Sequence, residues 1–212
     1  MQNTHFIFTR QFFQRIHIRQ KILCHKADLL SVRPEHFIQH MKIGCFETML
    51  HRIAINILPY QRCYFLARLC HNVLEYALDR EEILREFHRL LKPHGIISLV
   101  KHNRPGRVMQ MVVLLNEFEK ADALLNGEDG CASAYGTIHY YEDDDVTKWC
   151  EGLHIKETFG IRTFWDLQQK QECHKDPAWQ KKMIEVELRV SQIPPYRDIA
   201  FFHHLILVKE DV

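Results

Sequence analysis

The sequence predicts an α/β fold with a doubly wound sheet, in which the C-terminal half is recognisable and the N-terminal half is atypical or incomplete. Two observations support this prediction. Residues 71–100 follow the order loop, amphipathic helix, tight turn and buried strand, which is one step of an alternating α/β chain. Residues 1–62, by contrast, show no sustained helical or alternating pattern of apolar residues.

The helix of this α/β step has clear start and stop signals. Asp79 and Glu82 have the spacing of a capping box, which predicts that the helix begins directly after Asp79. Pro93 and Gly95 are expected to end it and to turn the chain. Residues 96–100 then form a short apolar run that is typical of a buried parallel strand. The predicted inner face of the helix consists of Ile83, Leu84, Phe87, Leu90 and Leu91.

The elements after residue 100 alternate in the same way. One long helix is predicted after Pro105-Gly106, ending near Asn126-Gly127, and glycines at 127, 130 and 136 predict a flexible loop. Acidic residues at 143–145 suit the first turn of a shorter helix that reaches Trp149. The remaining expected elements are a strand from Leu153 to Phe164, a helix from Pro177 to Ser191 and a final strand from Ile199 to Val208.

The chain changes its character near residue 69. Residues 1–62 carry nine Lys/Arg and three Asp/Glu, whereas residues 63–212 carry nineteen and twenty-four, so the net charge of +1 combines two unlike segments. We therefore predict an atypical N-terminal segment at 1–68 and a regular domain portion at 69–212. A frameshifted or rearranged reading frame would explain the first segment, and a genuinely divergent N-terminal region is the alternative.

Composition also indicates the kind of protein. Seven cysteines without a spaced framework predict reduced thiols and a cytoplasmic protein. No apolar run approaches the ~18 residues that a membrane-spanning helix needs, so no membrane partner is expected. Cysteine and histidine spacing predicts no metal site, because no second ligand pair accompanies Cys150 and His154.

Several motifs in residues 69–212 resemble a known family. The loop His71-x-Val-Leu-Glu75, the amphipathic helix, Leu-Lys-Pro-x-Gly95 and the apolar strand resemble the second half of class I S-adenosylmethionine-dependent methyltransferases, which are Rossmann-like. Further motifs resemble the branch that contains the bacterial tRNA 5-carboxymethoxyuridine methyltransferases, which act in tRNA modification. They are Asn103 and Gly106, Gly160-Ile161-Arg162 with Phe164 and Asp166, Glu185-x-Glu187-x-Arg189, Pro195-Tyr196 and His204.

The resemblance implies S-adenosylmethionine as cofactor and tRNA or a small molecule as methyl acceptor. It implies that His71 contacts the cofactor, although a hydrogen-bonded loop histidine remains the alternative. Asn103 and Arg104 follow a strand at its carboxyl edge, where ligands bind in open α/β sheets, and Lys101, His102 and Arg107 lie beside them. An anionic acceptor or RNA phosphates are expected there, with a solvated loop of ordinary charge as the alternative.

Two further candidates lie later in the chain. Arg162 is expected to steer a carboxylate or phosphate, with an intramolecular ion pair as the alternative. His204 is the last candidate substrate residue, and packing in the core is its alternative. No catalytic residue is assigned, because a carboxylate acceptor is already ionised at neutral pH and needs no general base.

The first 68 residues lack the motifs that this family uses for its cofactor. Gly44 is the only glycine before residue 95, and no Gly-x-Gly occurs in the chain, although glycine lets backbone approach a bound ligand closely. We therefore expect weak S-adenosylmethionine binding or none, and the alternative function is a catalytically defective remnant that acts as a binding module. Without partner strands, the strand that leads to His71 would be an open edge, which predicts self-association.

Overall fold

A computed structural model describes residues 65–132 and 136–210. Contacts divide the chain into two compact units. We call the unit with residues 65–102, 123–132, 136–158 and 204–210 the sheet unit, and the unit with residues 103–122 and 159–203 the helical unit. The predicted atypical segment is 1–68, and its residues 1–64 lie outside the described residues.

Four strands form one sheet in the order β1-β2-β6-β5, and two short strands pair separately. Most residues of these four strands belong to the sheet unit. The strands are β1 Phe65–His71, β2 Leu91–His102, β3 Gly130–Ala132, β4 Gly136–Ile138, β5 Leu153–Ile161 and β6 Phe202–Lys209.

Within the described residues, six α-helices connect these strands, together with short 3₁₀ segments. The helices are α1 Arg80–Leu90, α2 Arg104–Gln110, α3 Phe118–Leu125, α4 Asp145–Trp149, α5 Pro177–Val190 and α6 Pro194–Arg197. The 3₁₀ turns are Leu74–Tyr76, Trp165–Leu167 and Gln171–Lys175, and a π-helical turn spans Met111–Leu115. The predicted α/β alternation is confirmed.

The parallel pairing of β1 and β2 positions the first candidate residues. Ala67 pairs with Ile96 and His71 with Val100, so both strands run in the same direction. Residues 96–101 therefore lie in a parallel sheet, as the sequence predicts. Because carboxyl ends of parallel strands share one edge, His71 and His102 lie at the same end of the sheet.

The core of the sheet unit packs α1 against β2 and β6. Ile83 and Leu84 of α1 are buried, as are Ile97, Leu99 and Leu205 of the two strands. Burying each such side chain stabilises the fold by roughly 1.5–3 kcal/mol. The apolar periodicity of residues 83–91 predicts this packing correctly.

Three local predictions from the sequence were wrong in whole or in part. α1 begins directly after Asp79, as predicted, but the Asp79 side chain makes no capping hydrogen bond. The helix ends at Leu90 and the chain enters β2 directly, so Pro93 and Gly95 lie within that strand. The glycine-rich stretch after α3 forms the antiparallel β3–β4 pair around its undescribed residues 133–135.

The predicted long helix after Pro105 is instead interrupted. α2 passes into the π-helical turn, which ends where Asn116 adopts a left-handed backbone conformation with a φ of 53°. A left-handed residue cannot continue a right-handed helix. The chain therefore restarts as α3 at Phe118.

Candidate functional site

His71 is the last residue of β1, and its side chain is held by hydrogen bonds that run through Ser98 to His204 within the sheet unit. His71 Nε2 lies 3.0 Å from Ser98 Oγ, which lies 2.7 Å from His204 Nε2. The Ser98 hydroxyl has one hydrogen, so it donates to one imidazole and accepts from the other. The chain thereby fixes the orientation of the His71 ring, which remains partly exposed.

His204 has no exposed surface. Its ring lies edge-on to His71, with 6.0 Å between their centres. A fully buried imidazole cannot touch a substrate in this conformation. The structure thus agrees with the core alternative for His204, in which it supports His71 through Ser98.

Asn72 follows His71 and turns the chain away from the sheet. Its φ of 53° is left-handed, a conformation that asparagine tolerates better than most residues. Its backbone N–H donates to the carbonyl of Val100 over 2.8 Å, which ties the turn to β2. The side-chain Oδ1 of Asn72 is buried and has no hydrogen-bond partner among the described residues. This oxygen is an acceptor in need of a donor.

Glu75 lies in the 3₁₀ turn of the same loop and is 1% exposed. Its Oε1 accepts the backbone N–H of His102 over 2.9 Å, and its Oε2 has no hydrogen-bond partner among the described residues. Burial raises the pKa of this carboxyl to about 7, against the lowering effect of its hydrogen bonds and of nearby Lys101. The loop 71–75 therefore presents two buried acceptor oxygens at the carboxyl edge of β1 and β2.

Lys101 is buried and paired, whereas the sequence analysis expected an anion to bind near it. Its Nζ donates to Asp143 Oδ1 over 2.8 Å, and its side chain is only 3% exposed. The ammonium also lies 4.9 Å from the centre of the Tyr141 ring. A buried and paired lysine contributes to the core and has no free charge to offer an anionic ligand.

Asn103 serves as a backbone clamp in the helical unit. Its side-chain Nδ2 donates to the carbonyls of Asp198 over 2.9 Å and Ala200 over 2.8 Å, and its backbone N–H donates to Phe201. Both side-chain N–H groups are therefore engaged within the protein. Arg104 is the first residue of α2 and is partly exposed.

Arg162 directly follows β5 and has an unusual backbone conformation. Its φ is 63°, in the left-handed region that long side chains rarely adopt. Its guanidinium donates to Asp166 Oδ1 and lies 5.4 Å from the ring centres of both Phe201 and Phe202. The intramolecular ion pair that the sequence left open is therefore present.

Glu187 of α5 positions the segment that carries Asp166. Its Oε2 accepts from the backbone N–H of Thr163 over 2.9 Å, and its Oε1 accepts from Phe164 and Trp165 over 2.8 and 3.0 Å. The carboxylate is fully buried, and burial raises its pKa against these hydrogen bonds. It anchors three successive N–H groups at the start of a 3₁₀ turn.

Sequence reasoning identified His71 and Arg162 but missed what holds them. Ser98 stands in an apolar strand, where a lone serine is a sign of a buried hydrogen bond. Glu187 occupies a face of α5 otherwise marked by Ile184, and a carboxylate at an apolar helical position carries the same signal. The candidates also divide between the units: His71 and His204 belong to the sheet unit, whereas Asn103, Arg104 and Arg162 belong to the helical unit.

A metal-binding cluster and a membrane-spanning helix are both absent from the described residues. Residues 65–132 and 136–210 contain no group of three His, Cys, Asp or Glu side chains arranged to hold a metal ion. In the same ranges, no helix has the length and apolar character required to cross a membrane.

Comparison with known proteins shows which proteins the chain is similar to. A family profile described as a methyltransferase domain matches residues 36–99. The tRNA 5-carboxymethoxyuridine methyltransferases of Escherichia coli O157:H7 and of strain K12 are 23% and 24% identical to the chain over 189 residues, which is 88% of this chain and 70% of theirs. The chain is thus similar to a methyltransferase domain over residues 36–99 and to these tRNA enzymes over most of its length.

Solved methyltransferase structures resemble the chain only distantly. A putative methyltransferase of Haloferax volcanii in complex with its activator Trm112 gives a TM-score of 0.39 at 15% identity, covering 74% of this chain and 58% of its own. An S-adenosylmethionine-dependent methyltransferase of Methanosarcina mazei gives 0.39 at 11% identity, with 73% and 63% coverage. The chain thus spans less than two-thirds of each solved chain, and these likenesses are too distant to identify a function.

The family match also bears on the segment at 1–68. It begins at residue 36, inside the segment that the sequence analysis separates from the domain portion. Both explanations of that segment, a changed reading frame and a divergent N-terminal region, stay predictions. The boundary at residue 69 stays a prediction, because the described residues begin at 65.

Proposed function

We propose that this methyltransferase binds S-adenosylmethionine at loop 71–75 and transfers its methyl group to an acceptor on RNA or on a small molecule. The observation that carries the proposal is the buried Oδ1 of Asn72, which has no partner among the described residues. It lies beside His71 at the carboxyl edge of two parallel strands, where α/β sheets bind ligands.

The chemistry of this loop fits the cofactor. S-adenosylmethionine has donor groups in its adenine amine, its ribose hydroxyls and its α-ammonium group. Asn72 Oδ1 is an acceptor without a partner in the described chain, and so is Glu75 Oε2 when its carboxyl is ionised. Pairing a buried acceptor with a ligand donor removes a desolvation penalty of roughly 1–3 kcal/mol. His71, held through Ser98, adds a ring of fixed orientation.

The loop's part in the reaction is orientation and exclusion of water. The cofactor supplies the activated methyl group, and the protein holds it in line with the acceptor. Buried neighbours such as Leu74 and Cys70 keep solvent from the base of the loop. No described residue has to remove a proton if the acceptor is a carboxylate.

We further infer that the acceptor is the carboxylate of a modified uridine in tRNA. The two relatives that bear this name support the inference, and a small-molecule carboxylate is the other acceptor class. We assign Arg104 and Arg162 to the acceptor side, with Asn103 holding the start of α2 through its bonds to Asp198 and Ala200. His204 acts indirectly, through Ser98.

A methyl-transfer assay with the full chain tests this function. Labelled S-adenosylmethionine is supplied with tRNA that carries unmethylated 5-carboxymethoxyuridine, and both S-adenosylhomocysteine and the modified nucleoside are measured. We expect transfer to this tRNA and none to tRNA that lacks the carboxylate. Transfer to neither substrate, with cofactor binding absent as well, would support the alternative of a noncatalytic remnant.

A further inference from the structure

The helical unit contains a cavity of about 590 Å³ that the proposed cofactor loop does not use. Ligand pockets commonly measure roughly 300–1,000 Å³, so this volume suits a small organic ring system. Its walls include Gln110, Leu114, Arg162, Trp165, Asp166 and His174. All of them belong to one unit, so the cavity is complete within it.

Asp166 provides the unfilled hydrogen-bonding position. The residue is 7% exposed, and its Oδ1 is bonded to Arg162. Its Oδ2 is buried and has no hydrogen-bond partner among the described residues. A buried carboxylate oxygen in this state requires a donor, and the cavity is where a ligand can supply one.

The charges around the cavity are balanced in pairs. Arg162 is paired with Asp166, and Lys175 is paired with Glu172 over 3.0 Å at the exposed rim. Burial lowers the pKa of His174, which favours the neutral imidazole. The wall therefore has no excess charge to attract a phosphate or a free carboxylate, and it suits a neutral polar ligand.

Flat rings form part of the wall. The rings of Trp165 and His174 are stacked, with 4.8 Å between centres and 7° between planes, and Trp179 packs against both at 5.0 Å. His174 Nε2 lies 3.2 Å from the Trp165 carbonyl, which fixes the stack. These rings give the cavity a rigid aromatic section of wall, against which a planar heterocycle can pack.

These features together define the ligand. It is neutral and planar, and its edge carries an N–H donor next to a carbonyl acceptor. We propose that the cavity binds a uracil base by this edge, with Asp166 Oδ2 accepting the N3–H and Arg162 donating to an adjacent carbonyl. The choice of uracil over guanine, which has a similar edge, rests on the proposed uridine acceptor.

Calorimetric titration of the full chain with four nucleosides tests the proposal. Uridine is expected to bind, whereas 3-methyluridine, which lacks the N–H, and cytidine, whose N3 is an acceptor, should bind at least about tenfold more weakly. Guanosine serves as the second ligand with the same edge. Equal binding of uridine and 3-methyluridine, or no binding of uridine, would overturn the proposal.

Variants add a second readout. Asp166→Asn breaks the pairing with Arg162 and should reduce the preference for uridine over 3-methyluridine, whereas Glu185→Gln, on an exposed face of α5 outside the cavity, should not. The nucleoside comparison on the unaltered chain remains decisive if Asp166→Asn fails to fold. Failure here with intact methyl transfer rejects only the uracil site, and uridine selectivity without cofactor binding rejects only the proposed function.

Discussion

At the scale of single residues, Asn72 and Glu75 of loop 71–75 have different roles. Asn72 supplies a left-handed turn and an acceptor oxygen without a partner among the described residues, whereas Glu75 joins the loop to β2 through the N–H of His102. The Oδ1 atom of Asn72 and the side chain of Glu75 are polar and buried next to strand ends, which is costly without compensation. Such positions are retained when they serve a ligand or fix a backbone.

Glu75 predicts a specific dependence of stability on pH. Its pKa rises from the ordinary 4.5 to about 7 in the folded chain, so the folded state binds more protons than the unfolded state between these values. Stability should therefore fall as pH rises from about 4.5 to about 7 and stay level above it. In Glu75→Gln this loss is absent, and the variant should gain about 3 kcal/mol relative to the parent between pH 4.5 and pH 8.

Urea unfolding of both chains across this pH range measures the difference. In Glu75→Gln the amide oxygen of the new side chain can still accept a hydrogen bond from the backbone N–H of His102. The hydrogen bond that Oε1 makes in the parent chain is therefore kept in the variant. A constant difference in stability between the parent and Glu75→Gln at all pH values would contradict the raised pKa of this buried carboxyl.

At the scale of elements, Glu187 shows how one side chain supports a segment. Its carboxylate accepts three backbone N–H groups from residues 163–165, directly before Asp166. Glu187→Gln places an amide N–H against one of these donors and should destabilise the chain by on the order of 3 kcal/mol. Glu185→Gln on the exposed face of α5 is the matched control, with a change within about 0.5 kcal/mol.

Thermal unfolding compares the two variants. Equal melting temperatures for Glu187→Gln and Glu185→Gln would show that the three hydrogen bonds are not needed for stability. A selective loss at position 187, with increased hydrogen exchange in residues 163–165, is the expected result.

Helices and strands of this chain could be predicted where the periodicity of the apolar residues and the length of the segment indicated the same kind of element. The sequence predicts α1, α4, α5 and β6 to within a few residues, and the central part of β2, because each has a strong local pattern. The interruption after α2 was not predicted, because apolar residues continue through 111–115 and the left-handed Asn116 leaves no periodic signal. The β3–β4 pair was not predicted either, since three-residue strands are too short for a period.

The site was predictable only in part, for a different reason. His71 and Arg162 stand at strand ends and could be found from position, but Ser98 and His204 are 106 residues apart and meet only in the sheet. The pairing of Lys101 with Asp143 was not predicted, because Asp143 comes from a distant part of the chain. Long-range pairing is a property of the fold and has no local signature.

At the scale of the whole molecule, β1 is the terminal strand of the described sheet. Its Leu66 and Leu69 are 52% and 66% exposed, which is unusual for large apolar residues in a strand. We propose that this edge promotes self-association, because exposed apolar edge strands template further pairing. Charged residues on an edge oppose such pairing.

Leu69→Lys should therefore reduce association. Size-exclusion chromatography with light scattering is expected to show oligomers for the parent chain and a lower average mass for the variant. Val186→Lys, a substitution of another exposed apolar residue outside β1, is the control. The same mass for the parent and Leu69→Lys would argue against the edge as the contact.

Cofactor binding is the central claim, and titration of the full chain with S-adenosylmethionine tests it most directly. We predict saturable binding with a dissociation constant weaker than about 1 μM, or 8 kcal/mol, because the sequence lacks a Gly-x-Gly loop. Asn72→Gly keeps the left-handed turn and removes the acceptor oxygen, so it should weaken cofactor binding about tenfold. The control His154→Ala, which replaces an exposed histidine of β5, should leave the affinity unchanged. Absence of saturable binding, or equal affinity in the parent and Asn72→Gly, would contradict the assignment of loop 71–75.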